Sequence, residues 1–245
     1  MNNNNTHFLT WRRSAAKVVG SLIVSTALLL WTQPVAAASQ RYGTKLCKEP
    51  GYTCVTFKRG QSWTSLFPNS YDREVVQRLN RMGTPIYSGM RIAVPVDLSH
   101  ADLLSISPFP AKIASPGRKT IIVDPTKLAF GAYDTNGNLV HWGPVAMGRD
   151  YCPDLKRRCH SPTGTFHIYA KQGAGCKSKI FPIGKGGAPM PYCMFFDGGF
   201  ALHGSNEVPG YNASHGCVRM LTEDAKWLNT QFVSVGNTTV IVRPY

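Results

Sequence analysis

The spacing of apolar and polar positions changes character near residue 119. Before it, one amphipathic run spans Asp72 to Met82, with Val75, Val76 and Leu79 on one helical face. Asp72 is the expected N-cap of that helix and Gly83 its stop. Val55 to Phe57 reads as a short strand leading into a turn at Gly60, and Gly89 to Pro95 as a closing strand. The stretch around Pro68 makes a poor helix, yet the order that fits best is strand, helix, helix, strand.

After residue 119 the apolar runs shorten and become β-branched. Thr120–Val123, Leu128–Tyr133, Leu139–Val145, Gly164–Ala170, Met194–Phe196, Phe200–Leu202 and Val240–Val242 all read as strands. Asn136-Gly137 marks a hairpin turn, and Asp197-Gly198-Gly199 another. One helix is expected, with Thr222 as N-cap, Glu223 and Asp224 in its first turn, and Leu221, Trp227 and Leu228 facing inward. The fold class is therefore mainly β, with one main helix in the second part and a small βααβ unit in front.

The first 38 residues have a different pattern. Arg12, Arg13 and Lys17 precede an apolar run of 14 residues, Val18 to Trp31, and Ala36-Ala37-Ala38 offers a small-residue cleavage site. This predicts a cleaved signal peptide over residues 1–38. The run is shorter than the about 20 residues of a spanning helix, so no stable membrane span is expected after cleavage. Arg12-Arg13 also admits a twin-arginine reading, but Ser14-Ala15-Ala16 is less apolar than that route favours. No cysteine stands at the cleavage site to carry a lipid. Residues 98–118, rich in Ser and Pro, read as a linker between a first domain at 39–97 and a second at 119–245.

Export alters the meaning of charge and cysteine. The formal charge of +14 falls to +11 without the three leader cations. An exported basic protein points away from nucleic acid and towards an acidic polymer outside the cytoplasm. Six of the seven cysteines can pair in an oxidising compartment, in any of 15 ways. Sequence proximity favours Cys47–Cys54, Cys152–Cys159 and Cys176–Cys193, which leaves Cys217 free. The last two bridges would staple the basic, glycine-rich loops 149–161 and 171–193, expected to border a substrate groove.

Cys217 lies in Ser214-His215-Gly216-Cys217-Val218-Arg219, and His203-Gly204-Ser205 precedes it, with ten residues between His203 and Ser214. Cysteine chemistry needs a thiol, a base within reach and backbone N–H groups aimed at a developing oxyanion. Cys217 can be the nucleophile, His203 the base, and Gly216 can let the backbone approach a substrate. Cys217, His215 and His203 are also conceivable zinc ligands. The C-x₂₋₄-C spacing of structural zinc is absent, so no metal and no cofactor are expected. His141, His160 and His167 lack such context and read as surface or packing residues.

H-G-S followed by S-H-G-C-V-R resembles the active-site signature of the L,D-transpeptidases of bacterial cell walls, the YkuD-type catalytic domain. Ser161-Pro162-Thr163-Gly164-Thr165-Phe166 resembles that domain's P-T-G-x-F segment. The resemblance runs from about Lys119 to Arg243, and the gap between the two motifs is towards the short end for the family. It implies a catalytic β-sandwich. It implies a Cys217 thioester with a peptidoglycan stem tetrapeptide, transferred to an amine as a 3→3 crosslink or onto an outer-membrane lipoprotein. The Gly204 carbonyl would orient His203. Gly216 and Cys217 N–H groups would form the oxyanion hole, which His215 helps to shape. Arg219, Ser214 and Ser205 are the candidate substrate-binding residues, with Arg219 either gripping a stem carboxylate or buttressing the loop. A working thiolate–imidazolium pair, favoured by a helix start close to Cys217, is expected.

The earlier βααβ unit resembles a LysM module through Val55, Gly60, Trp63, Asn80, Gly89, Ile92 and Pro95, with Gln61 where that family often has Asp. This implies affinity for the glycan of peptidoglycan and a periplasmic or wall-associated protein. Carbapenems, which acylate the family's cysteine, become expected inhibitors. Two other readings share these residues: a cysteine carboxypeptidase or endopeptidase that hydrolyses stems, and an inactive peptidoglycan-binding protein.

Overall fold

The computed structural model describes residues 41–181 and 187–245. The leader expected over residues 1–38 lies outside the described residues. The chain opens with helix α1 (Tyr42–Leu46), strand β1 (Tyr52–Thr56), helices α2 (Trp63–Leu66) and α3 (Ser70–Leu79) and strand β2 (Arg91–Pro95). β1 and β2 pair antiparallel, from Tyr52 opposite Pro95 to Thr56 opposite Arg91. Phe57, Val76, Met82, Met90 and Ile92 are buried together between this ribbon and α3. Asn80 ties them with three hydrogen bonds. Its amide donates to Val76 O and Ala93 O, each at 2.7 Å, and its oxygen accepts from Ala93 N–H at 2.8 Å.

Both expected ends of α3 are displaced. Asn69, not Asp72, is the N-cap, its Oδ1 accepting from Tyr71 N–H at 2.8 Å and Asp72 N–H at 3.2 Å. Asp72 instead sits in the first turn, where its charge suits the helix N-terminus. The helix stops before Gly83. Arg81 takes φ 57°, while Arg81 N–H donates to Arg78 O at 3.0 Å and Met82 N–H to Gln77 O at 2.9 Å. This is a Schellman ending with arginine where glycine is usual. The side chain explains the choice. Arg81 Nε donates to Lys127 O at 3.0 Å and the guanidinium lies 4.9 Å from the centre of the Trp142 ring.

Among the described residues, the second part is one nine-stranded sheet. Its strands are β3 (Thr120–Asp124), β4 (Ala129–Tyr133), β5 (Leu139–Ala146), β6 (Gly164–His167), β7 (Ala170–Lys171), β8 (Met194–Asp197), β9 (Phe200–Gly204), β10 (Val218–Met220) and β11 (Thr239–Val242). Helix α4 (Thr222–Trp227) and a π-helical turn at Leu228–Phe232 follow β10. The spatial order is β6-β11-β3-β4-β5-β10-β9-β8-β7. The sheet curls until Phe166 on β6 and Phe196 on β8 meet, ring centres 5.4 Å apart. A single curled sheet therefore replaces the two facing sheets of the expected sandwich. Ile121, Val123, Phe130, Leu202, Val218 and Met220 fill the inside of the curl with Ala225, Leu228 and Phe232.

The other face of β3–β5 is also covered, which is why β3 and β4 are buried at every position. The cover is the stretch read as a linker. Phe109 packs there with Ile122, Tyr133, Leu139 and Trp142. Tyr133 Oη donates to Pro110 O at 2.9 Å, Leu139 N–H to Ala111 O at 2.8 Å and Ile113 N–H to Gly137 O at 2.8 Å. Residues 98–118 thus form a docked strap and not a free tether. The strand read as Gly164–Ala170 breaks at Ile168 into β6 and β7, which lie at opposite ends of the strand order.

Candidate active site

β9 and β10 pair in parallel, with Leu202 opposite Val218, His203 opposite Arg219 and Gly204 opposite Met220. Leu202, Val218 and Met220 point into the core of the curl. Alternation turns His203 and Arg219 to the other face. Cys217 immediately precedes β10, beside the strand that carries His203. Cys217 packs there against Ala201, Met190 and the Cys176–Cys193 bridge. Its thiol donates to Gly199 O at 4.0 Å, and not to His203.

His203 is 5% exposed. Its Nδ1 lies 2.9 Å from Gly204 O. A carbonyl only accepts, so Nδ1 carries the proton and the neutral ring keeps its lone pair on Nε2. Burial pushes the imidazole down from 6.5 to about 4, with the nearby Arg219 charge adding to the fall and the Gly204 carbonyl opposing it. Burial pushes the Cys217 thiol up, against smaller opposite effects of the Ala201 N–H and Arg219. Both shifts favour the neutral imidazole and the neutral thiol at rest and lend no support to a resting ion pair. The expected helix start is not beside Cys217 either. A strand, β10, follows it, and α4 begins at Thr222 with Leu221 in the cap position and no side-chain cap.

The two glycines of the motifs are fixed by sterics. Gly216 has φ 122°, and a Cβ there would lie 2.4 Å from the Phe200 ring. A Cβ on Gly204 would lie 3.0 Å from Thr222 Cα, which is why Thr222 packs on β9. Ser214 braces the loop between them and is 1% exposed. Its Oγ accepts from Gly216 N–H at 3.0 Å and donates to Cys217 O at 2.6 Å. The Gly216 N–H expected to face an oxyanion is thus engaged by Ser214.

The remaining candidates surround this centre. His215 Nε2 lies 2.8 Å from Asp154 Oδ2, and its ring stacks on Phe181 at 4.9 Å. His215 thereby ties the loop closed by Cys152–Cys159 to the motif. Arg219 Nη1 donates to Glu207 Oε2 at 2.7 Å. Ser205 lies apart from Cys217, lining a cavity of about 600 Å³ between α3 and the start of α4. All three expected bridges, Cys47–Cys54, Cys152–Cys159 and Cys176–Cys193, are present, and Cys217 is free. Cys152, Asp154 and His215 bring donor atoms within 4.8 Å of one another. The Cys152 sulfur is held in a disulfide and cannot act as a thiolate ligand. Sequence reasoning missed Arg149, Asp154 and Glu207, whose positions depend on loops that no local pattern specifies.

A free cysteine and a buried, oriented histidine thus lie at the end of a parallel strand pair carried by a curled sheet. Residues 118–242 match the family described as the YkuD L,D-transpeptidase catalytic domain. The chain belongs to that family. It is 27% identical over 139 residues to a probable L,D-transpeptidase, ErfK/SrfK, of Escherichia coli (strain K12), a match covering 51% of this chain and 44% of that protein. The chain thus matches less than half the length of that relative. The solved L,D-transpeptidase of Xylanimonas cellulosilytica is similar over 69% of this chain and 78% of its own, with 25% identity and a TM-score of 0.52.

Proposed function

We propose that this chain is a cell-wall L,D-transpeptidase that uses Cys217 as nucleophile and His203 as general base. The observation that supports the reading is the β9–β10 pairing, which brings a free thiol, packed beside Ala201, to the strand whose next-but-one residue is an imidazole with its Nδ1–H committed to Gly204 O. The reading requires the Cys217 sulfur to turn from Gly199 O towards His203 Nε2 by a side-chain rotation. His203 takes the thiol proton as the sulfur attacks the carbonyl of the third stem residue. The amide bond to the terminal D-Ala breaks, and its nitrogen leaves with the proton from His203. An acceptor amine then attacks the thioester and gives a proton to His203. The new amide forms, and the sulfur recovers that proton. The Cys217 N–H stabilises the oxyanion, and losing such a donor typically slows reaction by about 10²–10³.

The acceptor is a stem side-chain amine, with an outer-membrane lipoprotein lysine as the other amine of the same chemistry. The β1–α2–α3–β2 unit is assigned a LysM-like role in holding glycan. Three disulfides support export, as does a sequence leader at residues 1–38. The decisive test incubates the protein and Cys217→Ala with purified disaccharide-tetrapeptide and reads products by mass. A dimer lacking one D-Ala, formed only with intact Cys217, supports the reading. Tripeptide without dimer points to hydrolysis, and no product overturns the assignment. A carbapenem should add its mass to the protein and not to the variant. Retention on insoluble peptidoglycan, lost on disrupting residues 41–97, would support the glycan role.

A further inference from the structure

A second cavity, of about 300 Å³, lies beside the catalytic pair and is lined by Arg41, Thr84, Arg149, Glu207, Tyr211 and Arg219. Three guanidinium groups here face one carboxylate. Arg219 donates to Glu207, and Arg149 Nε donates to Ala213 O at 3.1 Å. Arg41 has no such outlet among the described residues. Its Nε is buried without a hydrogen-bond partner among the described residues, while its guanidinium rests against the rings of Tyr87 and Tyr211 at 5.3 and 5.7 Å. Thr84 Oγ1 is the other buried side-chain polar atom left unpartnered among the described residues. Both orphans therefore line one cavity. Unpartnered buried polar atoms are rare in folded proteins, and two together beside excess positive charge mark a place shaped for an anion.

The cavity is held from several directions. Tyr42 N–H donates to Gly210 O at 2.9 Å and fixes the chain next to Arg41. Arg149 N–H donates to Ser214 O at 3.1 Å. Arg219 is set by its position opposite His203 in the sheet. Glu207 alone is loosely held, with its side chain 70% exposed. A carboxylate already fits against Arg219, and it can swing out to solvent.

We infer that this cavity is a carboxylate subsite for the donor peptide, in which Arg41, Arg149 and Arg219 bind the anion, Thr84 Oγ1 donates to it, and Glu207 occupies Arg219 until the peptide arrives. Arg41 and Thr84 precede the matched catalytic domain, so the first part of the chain completes the site of the second. The identity of the peptide rests on the function proposed above. The carboxylate chemistry rests on the arginines. Two carboxylates of a stem tetrapeptide qualify, that of the terminal D-Ala and that on the side chain of the third residue.

The test titrates the full chain carrying Cys217→Ala, by calorimetry, with three tetrapeptides: the free acid, the C-terminal amide and the third-residue side-chain amide. One amide should bind about tenfold or more weakly, and that amide identifies the bound carboxylate. Arg41→Gln should weaken the free acid by a similar factor and leave that amide unchanged. Glu207→Gln should tighten the free acid. Equal affinity for all three peptides, or no measurable binding of any, overturns the subsite. So does indifference to Arg41→Gln in a variant with an unchanged thermal midpoint. Intact-protein mass on wild type separates the two proposals. Arg41-dependent binding without a thioester overturns the function and keeps the subsite. A thioester formed equally fast from the acid and both amides overturns the subsite and keeps the function.

Discussion

Arg78 of α3 and Asp224 of α4, 146 residues apart, form a buried ion pair at 2.7 Å. The two side chains are 4% and 1% exposed. Asp224 also receives His141 Nε2 at 2.8 Å, and Arg78 also donates to Trp142 O and to Glu74. The contact joins the βααβ unit to the helix that follows the cysteine motif. Burial acts to lower the Arg78 pKa, but Asp224 and Glu74 together raise it. The guanidinium therefore remains charged inside the protein.

Removing one partner should leave the other charge buried alone. Asp224→Asn or Arg78→Leu is expected to destabilise by about 3–5 kcal/mol, whereas replacing both by leucine should recover part of that loss. Glu74 pairs with the same arginine, but its side chain is 40% exposed. Glu74→Gln should cost less than about 1 kcal/mol. Urea denaturation of the four variants checks the ranking, and equal losses for Glu74→Gln and Asp224→Asn would contradict it.

Phe109 offers a second test, because it makes the strap part of the main core. It is 5% exposed, and a Cβ on Gly131 would lie 3.1 Å from its ring. Phe109→Ala should cost about 3–5 kcal/mol and shift a single cooperative transition. A free tether would give a loss near zero, or a separate early transition.

The strands of β-branched residues were legible because each buries a continuous apolar run. The three disulfides were legible because close cysteines have short loops to close. The strap was not: Ser and Pro announce irregular backbone, but they do not say whether Phe109 and Ile113 find a surface. β10 was hidden for another reason. It has three residues, and its parallel partner β9 is reached only by folding residues 205–217 back. Without β10, Cys217 looked like the residue before a helix, and its thiol was expected to be acidic. Arg81 in a left-handed conformation was unreadable too, because the contacts that hold it come from Lys127 and Trp142.

Gly216 combines two constraints that sequence shows only as one glycine. Gly216→Ala must place a methyl group against Phe200 in a backbone conformation that L-residues avoid. Phe200→Ala removes the ring but not the φ of 122°. The double variant should therefore regain only part of the acylation rate lost by Gly216→Ala. Full recovery would show that the ring alone matters, and no recovery that the backbone alone does. Thioester formation followed by protein mass separates these cases.

The buried imidazole predicts how stability responds to acid. In the unfolded chain a histidine takes up a proton near 6.5, whereas native His203 does so only near 4. Between these values the unfolded state binds more protons, so stability rises with pH across the window. The contribution is fully present above 6.5 and is lost progressively as pH falls towards 4, amounting to about 3 kcal/mol. His203→Gln should flatten this part of the curve when urea midpoints are followed from pH 7 to 4, and parallel curves for the two proteins would remove His203 as the cause. The same value bears on rate. With His203 as the base proposed above, only its neutral form can accept the thiol proton, so the acid limb of kcat/KM should fall near 4 and not near 6.5. The raised thiol moves the other limit upward, because the Cys217 proton is retained well into the alkaline range. A flat profile across neutral pH would therefore accompany proton transfer to His203 during attack, whereas an acid limb at the ordinary histidine value would place His203 in a more open site than the one β9 and β10 build.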